Sequence, residues 1–295
     1  MPDIAVWPKC DNRCVMCTNA RSYGRQAGAR YSLKAQVRRL ERRLAGLEGY
    51  ANDGGGSDLT LTGGEPTLHP AFLQLLSYFR RRLPGGEITL LTNGRRLASR
   101  RFCAAFLKAA GPPFAVAVPF HGPSAAVHDR VTGVQGSFDG ALAGVRNLLR
   151  PSSGPAVEAR VVLHGLNLPL LGETLRFLLR EFSRSPRFRA VVIHHEIEGE
   201  ALRNARELEL RLADSARAVN AAAPLLKRFR ELRLYHFPLC LLAAPLRGLC
   251  RITQPEADRS YPRGCAGCRL RPACPGLMAA YRRRFGAGEL RPVKR

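Results

Sequence analysis

The sequence predicts an α/β fold, a partial (β/α)6 barrel followed by a small cysteine-rich extension. Three observations carry that prediction. Short apolar runs alternate with longer amphipathic stretches through the first two thirds of the chain, as in successive β-then-α units. Hydrophobic residues make up 45% of the 295 positions, ample for a large core and too many for a disordered chain. Beyond about residue 230 the periodicity lapses and cysteine and proline take over. The predicted boundary falls there, with a barrel over 1–230 and an extension over 231–295.

Ile4–Trp7 reads as the first strand, followed by a loop rich in cysteine. Ser32 stands before an Arg-studded helix whose apolar stripe is Val37, Leu40, Leu44 and Leu47. Asp58–Thr62 (DLTLT) is a strand and Ala71–Leu83, after Pro70, a helix. Glu87–Thr92 and Leu97–Ala109 form the next strand and helix, then Phe114–Val118 and Phe138–Leu149. Val157–Leu163 and Gly172–Phe182 follow, and Ala190–Ile193 is the sixth strand. Six such units require parallel strands with right-handed crossovers. An open doubly wound sheet satisfies the same spacing. Gly54–Ser57 and Pro151–Pro155 are short enough to be loops within one domain. Tyr235–Cys274 has the irregularity of a small fold nucleated by a metal.

Composition narrows the function. No run of about 18 apolar residues occurs, which argues against a membrane-spanning helix. MPDIAVWPKC lacks the charged-then-apolar build of a secretory signal, so a cytoplasmic location is expected. Nine cysteines in a reducing compartment point to metal ligation or chemistry rather than disulfides. The net charge is +24, and 42 of the 47 basic residues are arginines. An abundance of Arg, Ala, Gly and Pro fits a GC-rich coding bias. The charge still favours nucleic acid or an acidic peptide within a Debye length of about 8 Å. Cys103, on the third helix, reads as a small buried residue.

Cys10, Cys14 and Cys17 form C-x3-C-x2-C directly after the first strand. Three soft thiolates at a strand mouth suit three irons of a four-iron cluster, leaving the fourth open. Zinc is the alternative, although the closest histidine, His69, offers no zinc-finger spacing. The second strand then runs into Gly63-Gly64-Glu65-Pro66, where glycines admit a close approach and Glu65 presents a carboxylate. Together these two motifs, in this order, resemble the radical S-adenosylmethionine (radical SAM) superfamily. The resemblance implies a [4Fe-4S] cluster on the three cysteines, with S-adenosylmethionine on the open iron. It also implies that Gly63, Gly64 and Glu65 bind the amino group of that cofactor, with Pro66 a further cofactor-binding candidate. Met16 stands before the third cysteine, where many members carry an aromatic ring.

Thr92-Asn93-Gly94 closes the third strand as in that family and adds Asn93 to the cofactor-binding candidates. His121-Gly122-Pro123, His128-Asp129-Arg130 and Gly133-x-x-Gly136-Ser137-Phe138 resemble the peptide-modifying branch. There a serine holds the cofactor ribose two residues ahead of Asp-Gly-Pro. Pro119 takes the serine position here and His121 the Asp, leaving His121 as the candidate at that place. Asn167, past the fifth strand, matches a polar side chain near the methionine moiety, or caps a turn before Pro169. His194-His195-Glu196, with Glu198 and Glu200, reads as a hydrogen-bonded strand end with solvated carboxylates. A second metal site or a substrate contact is the alternative.

Cys265-x2-Cys268-x5-Cys274 is the second strong motif, with Cys240 and Cys250 upstream. Alone it allows a zinc knot. Behind a radical SAM core it resembles the twitch and SPASM extensions, which bind auxiliary iron–sulfur clusters. Met278 occupies the last position of the longer SPASM pattern, so one auxiliary cluster is expected. Phe237-Pro238-Leu239-Cys240 before the CxxC is similar to maturases of His-Xaa-Ser peptide systems. That similarity implies Cys240, Cys265, Cys268 and Cys274 as ligands, with Cys250 the other candidate for the fourth.

The family implies reductive cleavage of S-adenosylmethionine to a 5′-deoxyadenosyl radical, which abstracts hydrogen from substrate. A ribosomally made peptide is the expected substrate, and flavodoxin or ferredoxin the expected electron donor. Only nine residues precede Cys10, so a leader peptide is expected to bind the core or a partner protein. Radical modification of a small metabolite or RNA is the enzymatic alternative. A zinc-bound nucleic-acid module is the non-enzymatic one.

Overall fold

A computed structural model describes residues 3–26, 28–47 and 58–294. The proposed loop at Gly54–Ser57 lies outside these residues. Eight strands form one parallel sheet in the order of the sequence. They are β1 (Asp3–Trp7), β2 (Leu59–Gly63), β3 (Ile88–Leu91), β4 (Phe114–Pro119), β5 (Ala156–Leu163), β6 (Phe188–His194), β7 (Leu232–Tyr235) and β8 (Cys250–Arg251). Each strand pairs with the next, and among the described residues β8 does not close back onto β1. The architecture is an open, partial α/β barrel, with two strands more than the six expected. Both lie beyond residue 230, so the sheet continues into the cysteine-rich segment. Four and two residues are too few to show the alternation that marks a strand.

The connecting helices are α1 (Leu33–Leu44), α2 (Phe72–Arg82), α3 (Arg100–Ala110), α4 (Ala125–Thr132), α5 (Ser137–Leu149) and α6 (Leu171–Phe182). After β6 come α7 (Gly199–Arg203), α8 (Ala205–Leu208), α9 (Leu212–Ala221) and α10 (Ala223–Leu226). The strands send alternate residues to the helix layer. Phe114, Val116 and Val118 of β4 join Phe106, Val145 and Leu148 in the main core. Leu40 is buried, but Leu44 and Leu47 are 42% and 65% exposed, because α1 ends at Leu44 and the stripe leaves the core. Gln36, fully buried, donates its amide to Ala5 O and Val6 O at 3.0 and 2.8 Å. It thereby satisfies carbonyls on the free edge of β1. Cys103 is buried on α3 as expected.

The other face of the sheet is polar at one end. Glu158 of β5, 2% exposed, is bound by Arg160 at 2.8 Å and by Arg189 of β6 at 2.6 Å. Burial pushes its carboxyl up, but the two guanidiniums outweigh that and hold it below the ordinary value. Beyond β8 the chain adds α11 (Ala244–Arg247), an antiparallel pair β9 (Arg259–Ser260) and β10 (Leu277–Met278), and α12 (Ala279–Phe285). Tyr281 of α12 is buried and ties this segment back through its hydroxyl, which accepts the Leu212 N–H at 2.9 Å. No described helix is long and apolar enough to cross a membrane.

Candidate active site

Cys10, Cys14 and Cys17 occupy the loop that leaves β1, at the C-terminal edge of the sheet. The loop is pinned from several sides. Arg13 N and Val15 N donate to Thr132 O and Val131 O at the end of α4, at 2.8 and 2.9 Å. Arg95 pairs with Asp11 at 2.9 Å, and Asn93 Nδ2 donates to the same carboxylate at 2.6 Å. The Asn12 N–H points at Cys10 Sγ, 3.4 Å away. Burial pushes the Cys10 thiol up to about 12 and raises Cys14 and Cys17 as well. Proximity of Cys10 and Cys17 raises Cys14 further. Three neighbouring thiols that resist ionisation alone are a donor set for a cationic iron cluster, which displaces their protons.

The two glycines at the end of β2 admit chain rather than ligand. A Cβ on Gly63, at φ +136°, would lie 2.4 Å from Trp7 O, and one on Gly64 would lie 2.4 Å from Pro8 O. Gly64 N and Glu65 N donate to Trp7 O and Lys9 O at 2.7 and 2.8 Å, which locks the motif against the start of the cysteine loop. Glu65 is 1% exposed. Its Oε1 accepts Thr67 N, Thr67 Oγ1 and Thr92 Oγ1, and its Oε2 accepts Asn93 N at 2.7 Å. Burial raises its pKa while these hydrogen bonds oppose the rise. All four partners donate, the arrangement of an ionised carboxylate. Glu65 thus joins the ends of β2 and β3, and Pro66 begins the 3₁₀ turn that follows.

His121 and Asn167 lie past β4 and β5 and are 1% and 2% exposed. Asn167 donates to His121 O and Val162 O at 3.2 and 2.9 Å, and accepts His164 N at 2.9 Å. Both amide hydrogens are used within the protein, so Asn167 braces the turn and the neighbouring strand end. His121 Nδ1 and both ring nitrogens of His164 are buried with no partner among the described residues. Such orphaned polar atoms are uncommon in a finished core and fit a site that receives a polar ligand.

The motif-based reading missed His164. Its signal is legible afterwards: β4 to β7 are each followed or closed by histidine, at His121, His164, His194-His195 and His236. Burial depresses His164 to about 3 and His128 and His195 to about 4, so these rings are neutral. His194 and His195 do not form one metal site. His194 bonds Ser215 of α9 at 2.9 Å, whereas His195 Nδ1 donates to Leu163 O at 3.1 Å. Glu200 is not solvated either: it is 5% exposed and paired with Arg21 and Arg203.

A second group of thiols lies in the C-terminal segment. Cys240, Cys265, Cys268 and Cys274 line one pocket, with Tyr261 and Arg271. Cys250 is not in its lining. The Cys250 thiol donates to Phe237 O at 3.3 Å, and burial pushes it up to about 12. Backbone N–H groups are aimed at the sulfurs: Leu239 and Gly276 at Cys274, and Arg291 at Cys240, each at 3.4 Å. Amides so directed stabilise thiolate sulfur in iron–sulfur sites. Among the described residues no three His, Cys, Asp or Glu side chains converge tightly enough for a single metal ion. Four thiols spread around a cavity fit a larger group.

Comparison with known proteins bears on the fold and on the family. A search of curated protein sequences finds no match. Among solved structures, SuiB of Streptococcus suis superposes with a TM-score of 0.57 at 17% identity, over 79% of this chain and 49% of SuiB. SuiB bound to S-adenosylmethionine gives 0.52 at 15%, over 79% and 47%. Native anSMEcpe with bound AdoMet and Kp18Cys peptide gives 0.54 at 12%, over 79% and 63%. The likeness at these identities is one of fold, and the chain spans about half the length of SuiB. The family model of the radical SAM superfamily matches residues 4–178, more than half of the chain, from the first strand into α6. On that match, with its cysteine loop and GGEP turn meeting at one sheet edge, the chain belongs to the radical SAM superfamily.

Proposed function

We propose that the chain is a radical SAM enzyme that reductively cleaves S-adenosylmethionine and modifies a ribosomally made peptide. One observation carries the reading: Cys10, Cys14 and Cys17 are held against the GGEP turn and Asn93 at a single sheet edge. The cluster and cofactor, when bound and reduced by flavodoxin or ferredoxin, supply a 5′-deoxyadenosyl radical for hydrogen abstraction. The protein's part is to hold and to exclude. The three thiolates ligate the [4Fe-4S] cluster. Gly63 to Pro66, with Asn93, shape the cofactor's seat, and His121, past β4, offers a buried ring nitrogen with no partner among the described residues. Asn167 acts by bracing that wall.

Cys240, Cys265, Cys268 and Cys274 are proposed to hold one auxiliary iron–sulfur cluster in a twitch-like extension over 231–295, behind a core over 1–230. Their shared pocket supports this ligand set over one with Cys250. A peptide substrate is supported by fold likeness to anSMEcpe, which carries a peptide beside AdoMet. The +24 charge complements an acidic leader, bound by the core or a partner protein. Nine unpaired thiols suit a reducing compartment, the cytoplasm.

The test is co-expression with a short peptide encoded beside the gene, followed by mass spectrometry. A mass change that disappears in the Cys10, Cys14, Cys17 triple Ala variant is expected. An unmodified peptide beside a fully iron-loaded protein that still cleaves S-adenosylmethionine would overturn the peptide substrate and leave the enzyme class standing.

A further inference from the structure

The chain between β6 and α9 returns over the strand ends and grips the cysteine loop from its far side. Gly199 enters at φ +55°, so close to the loop that a Cβ would lie 2.2 Å from Thr18 O. Only glycine suits both that conformation and that approach. The next two amides, Glu200 N and Ala201 N, donate to Cys17 O at 2.8 and 3.2 Å. Asn204 Nδ2 donates to Val15 O at 2.9 Å. The Glu200 carboxylate accepts Arg21 N at 2.8 Å and pairs with the Arg21 and Arg203 guanidiniums at 3.3 and 3.1 Å. The third cysteine is therefore fixed on both sides by one short segment.

The carboxylate is the unexpected part. Its own side chain is 7% exposed, while those of Arg21 and Arg203 are 71% and 60% exposed. Ion pairs with such solvated partners contribute little stability, and burying a carboxylate costs desolvation. The backbone amides alone could anchor Cys17 O. What the side chain adds is a negative charge on the very residue whose N–H is bonded to Cys17 O at 2.8 Å.

We infer that Glu200 is a positioning residue for the proposed cluster, fixing the turn from Cys17 to Arg21 and setting one negative charge beside the third ligand. A negative charge there disfavours the added electron and makes the reduced cluster a stronger reductant, as reductive cleavage needs. This rests on the reading that Cys10, Cys14 and Cys17 hold a cluster.

The test uses the full-length, anaerobically loaded protein. Redox titration is followed by the EPR signal that changes when S-adenosylmethionine is added. Glu200→Gln should raise the midpoint potential of that signal and release its iron severalfold faster to a chelator. Arg203→Ala, at an exposed side chain that the core does not need, should shift the potential the opposite way. Unchanged potentials in both variants at full iron content would overturn the inference, because a merely structural brace moves stability without moving potential. A triple Cys variant that keeps the S-adenosylmethionine-sensitive signal would instead overturn the reading beneath it.

Discussion

Glu65 shows how much of the site acts through single side chains buried beneath it. Its carboxylate takes four hydrogen bonds from Thr67, Thr92 and Asn93, so its charge organises two strand ends at once. Glu65→Gln replaces one acceptor oxygen with a donor that faces donors. Thermal unfolding of the apoprotein should report a loss of about 2 kcal/mol, and a binding titration should report weaker S-adenosylmethionine. An unchanged melting temperature would show that these bonds are not needed, leaving charge alone as its contribution. The motif was legible because Gly-Gly-Glu-Pro is local. The role of Glu65 was not, since its partners Thr92 and Asn93 come from another strand end. Glu200 was less legible still, lying 179 residues from its partner Arg21.

Elements divide along the same line. Six strands were readable because apolar runs such as Ala190–Ile193 are bounded by polar turns. β7, with Arg233 in a run of four residues, and β8, with two, gave no such signal. α4, eight residues long, holds His128-Asp129-Arg130, a stretch legible as a motif and too short to show a helical period. In the C-terminal segment the cysteine spacing left a choice that the pocket narrows. Iron analysis of the single Ala variants should find iron lost at Cys240, Cys265, Cys268 and Cys274. Cys250→Ala should keep its iron and lose about 1 kcal/mol as a partly buried thiol. An iron-depleted Cys250 variant beside an intact Cys240 variant would reverse the assignment.

For the molecule as a whole, all seven histidines have pKa values lowered, chiefly by burial. A folded-state value below the unfolded 6.5 means that the unfolded chain binds more protons between the two. The stability these neutral rings contribute is complete above about pH 6.5 and is lost as pH falls toward about 4. The slope is on the order of 1 kcal/mol per pH unit for each strongly shifted ring. Glu158, held below the ordinary carboxylate value, adds a loss only below about pH 4. Urea midpoints at pH 7.5, 6 and 5 should fall steadily, and a flat profile would contradict the buried, neutral histidine row.

On the proposed function, the β1 loop and the C-terminal pocket hold separate clusters with separate tasks. The most direct measurement sets iron content beside 5′-deoxyadenosine formation in the anaerobic, reduced triple variant Cys10→Ala, Cys14→Ala, Cys17→Ala. Deoxyadenosine should fall to background while the iron of the Cys240, Cys265, Cys268 and Cys274 pocket stays. Continued deoxyadenosine formation, or iron falling to zero, would contradict that reading.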